Sequence, residues 1–357
     1  MLGRLLGVVL AWTLMASAAA AAETDAAALQ ALRQKIVSGE LPGVHSVIVV
    51  RGGKTLAEWY FPGKDERRGL PLGEVAFTAD TLHDVRSVSK SVVSILLGIA
   101  LKDGAIESLD TPVLDYFPEY PELKTPERMK ITLRHIFSMT SGLKWDETSV
   151  PYIDARNSEI AMDLAPDRYR YVLEQDVVTP PGSQFRYSGG DVALAGAVLA
   201  RATKTPLEDY ARAKLFAPLG ITPFQWDKDP KGVPFAASGL RLRPRDMATI
   251  GQLMLQGGRW KGRQIVPKAW VTASTSRQAQ VAPDPKCGTR YGYYWWLNPG
   301  CPFTPPTPVI TANGNGGQRI WVIPSRDLVV VTTMGGYNRP TPAADAILAA
   351  VLKAAKP

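Results

Sequence analysis

The sequence predicts an α/β (α+β) chain: one antiparallel sheet drawn from both chain ends, flanked by terminal helices, with a large helical insertion. Three observations carry this reading. Strand-like segments lie toward the two ends: Val44–Val50 and Leu56–Phe61 early, and Tyr291–Leu297, Pro308–Thr311, Gln318–Ile323 and Leu328–Thr333 late. From Ser87 to about Arg277, helical segments alternate with Pro- and Gly-rich loops. Each end also carries an apolar-spaced helical stretch, Thr24–Ser38 and Thr341–Ala355. The predicted domain is 23–357, with a sheet part at 23–85 and 280–357 and a helical part at 86–279. A cleft between the two parts is the natural place for a site.

Taken in order, residues 1–22 open with Arg4, continue as an apolar stretch Leu5–Ala16 and end in small residues, Ser17–Ala22. That is the layout of a signal peptide, so the mature chain is expected to be exported, periplasmic or secreted, without stable membrane insertion after cleavage. The apolar stretch is short for a membrane span. Arg51-Gly52-Gly53-Lys54 has turn composition between the first two strands and predicts a hairpin. Ser91–Leu101 contains neither Pro nor charge and reads as a buried helix. Pro206–Phe216 and Pro244–Leu255 read as further helices.

The formal charge of +8 is spread along the chain, with no Lys/Arg block interleaved with aromatics, which argues against a nucleic-acid partner. His45, His83 and His135 lack metal-ligand spacing, and no metal or organic cofactor is expected. His135 reads as a structural helix residue. Cys287 and Cys301 are the only cysteines. In an oxidising compartment such a pair predicts a disulfide, with two buried thiols as the plainer alternative. The expected partner is a small-molecule substrate; the sequence assigns no oligomeric state.

The chemistry concentrates at Ser87-Val88-Ser89-Lys90, which opens the buried helix. Residues three apart share a helix face, so the Lys90 amine is expected beside the Ser87 hydroxyl. A hydroxyl becomes a useful nucleophile when a neighbouring base takes its proton, and burial is expected to lower the Lys90 pKa toward that task. A helix N-terminus adds backbone N–H groups suited to an oxyanion. Serine is also a common helix cap, which is the plainer role for Ser87. Ser141-Gly142-Leu143-Lys144 repeats the spacing, but Gly142 interrupts any helix there. Tyr187 precedes a second apolar helix and is a candidate proton carrier. Asn313-Gly314-Asn315-Gly316-Gly317-Gln318 enters a strand and permits close backbone approach to a ligand; an ordinary hairpin turn is the alternative.

Together, Ser87-Val-Ser-Lys90, Tyr187-Ser188-Gly189 and Asn315-Gly316-Gly317 resemble the three motifs of the serine β-lactamase and penicillin-binding protein-like superfamily. Tyr at the second motif resembles the class C-like branch, with its esterase and nylon-oligomer hydrolase-type members. Ile131–Leu143, Ser238–Trp260 and Gly262–Trp270 are similar to stretches of that branch. The resemblance implies a β-lactamase-like fold, Ser87 as nucleophile, and Lys90 and Tyr187 sharing the base role. It further implies an oxyanion hole from the backbone N–H groups of Ser87 and Gln318, and substrate contacts at Gly189, Asn315, Gly316 and Gly317.

Two departures bear on substrate. Gly189 stands where the class C pattern carries Asn, and Asn315 stands where its third motif carries Lys. Strand alternation offers Arg319 as a replacement cation on the face of Asn315 and Gly317. The expected function is an exported serine hydrolase working through an acyl-enzyme on ester or amide bonds of small, neutral substrates. The alternatives are a D-Ala carboxypeptidase or β-lactamase, or a catalytically silent envelope protein that binds a peptidoglycan-like ligand.

Overall fold

The structure, a computed structural model, describes residues 24–281, 284, 287–301 and 306–356. The predicted signal peptide lies outside them. Eight strands form one antiparallel sheet in the order 279–280, 290–291, 296–298, 309–314, 318–323, 328–334, 44–51 and 54–60. The first strands of the chain therefore pair directly with the last, Val49 opposite Val330 and Val47 opposite Thr332.

The central strand Leu328–Met334 is buried throughout because both of its faces are covered. Leu328 and Val330 face the terminal helices Ala26–Val37 and Pro342–Ala354, alongside Leu32, Ile347 and Val351. Val329 and Val331 face the helical part, against Ile250, Ile320 and Val322. Period-two alternation divides one apolar run between two cores.

The early hairpin forms as expected, Val44–Arg51 with Lys54–Tyr60. Tyr291–Leu297, read as one strand, is two short ones, Arg290–Tyr291 and Trp296–Asn298. Between them Tyr294 takes φ of 61°, and its buried ring packs on Phe137, so side-chain burial overrides strand continuity. A second hairpin, Gly63–Arg67 with Leu70–Val75, and a small sheet joining His83–Asp84 to Leu240–Leu242 carried no clear pattern in the sequence.

The Pro206–Phe216 segment starts as an α-helix at Leu207–Ala211 and widens into a π-helical turn at Arg212–Phe216. Cys287 and Cys301 form a disulfide, with Cα atoms 5.6 Å apart. No helix among the described residues is long and apolar enough to cross a membrane.

Candidate active site

Ser87 sits at the hinge between sheet and insertion, directly before the helix Val88–Lys102. The chain reaches it through Arg86, which takes φ of 50°, a left-handed conformation costing a non-glycine residue roughly 1–2 kcal/mol. Local bonds hold that turn. The Arg86 N–H donates to Asp84 Oδ1 at 3.0 Å, and Ser89 Oγ donates to the Arg86 carbonyl at 2.6 Å. The Ser87 hydroxyl makes no capping bond to its own helix. It faces a cavity of about 1010 Å³ instead, so the plain capping role is not the one it plays.

The Lys90 ammonium lies one turn on and is 1% exposed. It donates to Ser87 Oγ at 3.1 Å and to the Ala237 carbonyl at 3.0 Å. Tyr187 stands beside this pair: the Lys90 nitrogen is 5.1 Å from its ring centre, and Tyr187 shares the cavity wall with Ser87. Trp296, 5.6 Å from the Tyr187 ring, and Phe185 continue the cavity wall.

The expectation of a lowered Lys90 pKa is corrected. Burial does work against its charge, but Tyr187, Glu159 and Glu147 outweigh burial and hold the ammonium above its usual range. The surroundings are apolar only on the helix side. For Tyr187, burial raises the phenol, and the Lys90 charge opposes that rise.

Sequence reasoning passed over the two carboxyls. Glu147 lines the cavity, and its Oε2 accepts from the Gly189 N–H and from Trp145 Nε1, each at 2.5 Å. Tyr152 donates to its other oxygen at 3.2 Å. Burial and the charge of Glu159 push the Glu147 carboxyl up to about 7, against the pull of Lys90. A Cβ at Gly189 would lie 2.8 Å from Glu159 Oε2 and 3.1 Å from Glu147 Oε2. The two acidic side chains thus crowd the very position at which the class C pattern carries Asn. The only trace in the sequence was Trp145-Asp146-Glu147, directly after the second S-x-x-K match. In that match Ser141 is buried and Lys144 is exposed, so the pair is not assembled.

At the third motif, Gly316 and Gly317 take φ of 92° and 94°, which only glycine adopts readily. Their tight turn brings Asn315 to the wall that Ser87 lines. An ideal Cβ at Gly314 would sit 2.3 Å from the Val85 carbonyl, so this hairpin presses on the segment leading to Ser87. The Asn315 amide is engaged by Asn338: Nδ2 donates to Asn338 Oδ1 at 2.7 Å, and Oδ1 accepts the Asn338 N–H at 2.8 Å. Gln318 is fully buried, its side chain bonded to both backbone groups of Met334.

Arg319 does not line the Ser87 cavity. Its guanidinium donates to the carbonyls of Gly314, at 2.6 Å, and Gln318, at 3.1 Å, and borders a neighbouring cavity with Asp345 and Cys301. His135 caps its own helix through Thr132, the structural role expected for it.

A two-cored sheet-and-helix fold with a serine–lysine–tyrosine cluster between its parts is the arrangement of serine hydrolases of the β-lactamase and penicillin-binding type. The chain belongs to the Beta-lactamase family, whose signature matches residues 23–355. The 6-aminohexanoate-dimer hydrolase of Paenarthrobacter ureafaciens is 26% identical over 306 residues, covering 80% of this chain and 70% of that protein. Solved structures share the fold, among them the following two. EstCE1, a hydrolase with promiscuous acyltransferase activity, has a TM-score of 0.69 at 18% identity, over 90% of this chain and 98% of that one. A class C β-lactamase from Rhodobacter sphaeroides has a TM-score of 0.67 at 20% identity, over 92% and 98%.

Proposed function

We propose that the protein is an exported serine hydrolase that cleaves ester or amide bonds of small substrates through an acyl-enzyme on Ser87. The observation that carries the reading is the 3.1 Å contact between the Lys90 ammonium and a Ser87 hydroxyl that faces a large cavity. Ser87 Oγ attacks the carbonyl carbon and forms the acyl bond. Its proton passes to Tyr187 in the phenolate form, and the leaving group then takes that proton and restores the phenolate. Lys90 keeps its own proton because Tyr187, Glu159 and Glu147 favour its charge against burial. Its role is to stabilise that phenolate, which offsets the burial that otherwise raises Tyr187. Water then repeats the sequence to release the acid. Backbone N–H groups of Ser87 and Gln318 serve the oxyanion.

The substrate reading is neutral. Glu147 and Asp146 line the cavity, Arg186 is the cation among its described lining residues, and Asn315 is tied to Asn338. That lining offers an anionic substrate little compensation for the missing third-motif Lys. The relatives named for hydrolysis and acyl transfer support acyl chemistry. A silent ligand-binding role has no feature that favours it, since the serine is hydrogen-bonded to a charged lysine rather than blocked.

Covalent labelling by a serine-directed fluorophosphonate, read by intact mass, tests the assignment. Ser87→Ala is expected to abolish labelling and turnover of a chromogenic short-chain ester, while Ser141→Ala retains both. Activity surviving in Ser87→Ala would overturn it. Neutral aryl esters are expected to give a higher kcat/KM than penicillins, and the reverse order would return the β-lactamase reading.

A further inference from the structure

Among the described residues, one group of ligating side chains stands apart from the serine cavity. His45, Asp65 and His83 are all buried, and one ligand atom from each lies within 4.8 Å of the others. They come from the first strand, the second hairpin and the segment before Ser87, so no sequence spacing marks them. His45 Nδ1 is 2.9 Å from His83 Nε2, and Asp65 Oδ1 is 3.6 Å from the same nitrogen.

One proton is placed by geometry. His83 Nδ1 is 3.0 Å from the Asp84 carbonyl, which only accepts, so Nδ1 carries the hydrogen and Nε2 of the neutral ring is a bare lone pair. His45 Nδ1 faces that lone pair at 2.9 Å. With a hydrogen on it, it closes a hydrogen bond between the two rings; without one, it presents a second lone pair beside the Asp65 carboxylate, and a cation seated among the three atoms satisfies all of them.

We propose that His45 Nδ1, His83 Nε2 and Asp65 Oδ1 form a binding site for a divalent transition-metal ion of the zinc class. Two of the three separations, 2.9 and 3.6 Å, bracket the edge of roughly 3.3 Å expected for a tetrahedron with bonds of about 2.0–2.1 Å, and the third is within 4.8 Å. The outer partners are those of a metal centre: His83 turns its Nδ1–H to the Asp84 carbonyl, and Tyr337 donates to Asp65 Oδ1 at 2.8 Å. Phe77 stacks on His45 at 4.1 Å and closes the site. The role is structural. The ion would tie three segments to the loop carrying Tyr337 and Asn338, and Asn338 holds Asn315 in the serine cavity.

The test uses tag-free wild-type protein, stripped with dipicolinate and dialysed against Zn²⁺ or Co²⁺. One zinc per chain by mass spectrometry, and visible Co²⁺ bands of four-coordinate intensity, are expected. Zinc is expected to raise the Tm. Ser87→Ala should keep the Co²⁺ bands, and Asp65→Asn and His83→Ala should lose them. Tyr337→Phe should weaken zinc binding by on the order of 10–100-fold. The wild-type Co²⁺ spectrum decides the matter even if a histidine variant does not fold. Folded wild type without stoichiometric metal or Co²⁺ bands overturns the site. So do bands that survive in folded Asp65→Asn, or a proton shared between the two imidazoles in nitrogen-15 spectra of metal-equilibrated protein.

Discussion

At the scale of single residues, Glu147 sets the charge state of the site. Its carboxyl is raised to about 7 by burial and by Glu159, far above the ordinary value near 4.5. Between those values the folded protein holds a proton that the unfolded chain has released. The contribution to stability is therefore full at low pH and is lost as pH rises through that window. Glu147→Gln should flatten this fall, seen as a smaller difference in urea midpoint between pH 5 and pH 8 than in wild type. The same substitution should remove a limb near pH 7 from the kcat/KM profile; an unchanged profile would separate Glu147 from turnover. Lys90→Ala and Tyr187→Phe should each lower kcat by about 100-fold or more, the scale of general acid–base assistance. Their effects should fall short of additive, because both groups serve one proton. Full activity in Tyr187→Phe would take the phenol out of the mechanism. Gly189→Asn, which restores the class C residue, should destabilise rather than improve the enzyme, since its Cβ meets two carboxyls at about 3 Å. Overpacking of this kind costs roughly 1–3 kcal/mol.

At the scale of elements, the helix Val88–Lys102 positions the serine and lysine, and its own seating is the point of leverage. Gly98 lies mid-helix, where alanine ordinarily stabilises by about 1 kcal/mol. Here the sign should reverse. A Cβ at Gly98 would lie 2.0 Å from Cδ1 of Trp270, whose ring is fixed by a 2.9 Å bond to the Ser94 carbonyl and by stacking on Tyr293. Gly98→Ala is therefore expected to lower stability by roughly 1–3 kcal/mol and to displace the Ser87–Lys90 turn. A raised urea midpoint would show that Trp270 yields easily. The helix was plain in the sequence because its apolar run has no break, whereas the stop it packs against was not. Nothing local relates Gly98 to Trp270.

At the scale of the whole molecule, the disulfide closes the sheet edge beside the cavities. Cys301 lines the chamber adjoining the serine site, and Val281 borders both chambers. The bridged residues are 14 apart, a loop for which the chain-entropy model gives roughly 3 kcal/mol. Cys287→Ser with Cys301→Ser is expected to lower the denaturation midpoint accordingly, while leaving Ser87 labelling in folded protein. Loss of labelling without loss of folding would show that the bridge shapes the site itself.

The division between the two levels follows from the range of the interactions. Periodicity and turn chemistry are local, so the sequence alone determined the terminal helices, the first hairpin, the late strands and the serine helix. The three motif segments also lay open to reading, because each depends on a few adjacent residues. Tertiary structure decided what depends on distant neighbours. It broke Tyr291–Leu297 in two, because the buried ring of Tyr294 outweighed strand pairing. It kept Lys90 charged, because Tyr187, Glu159 and Glu147 arrive from loops and helices far along the chain. It turned Arg319 toward the Gly314 carbonyl and away from the serine, and it joined His45 to His83 across 38 residues. A pKa, a rotamer or a ligand cluster is set by whatever lies within a few ångströms, and folding alone selects those neighbours.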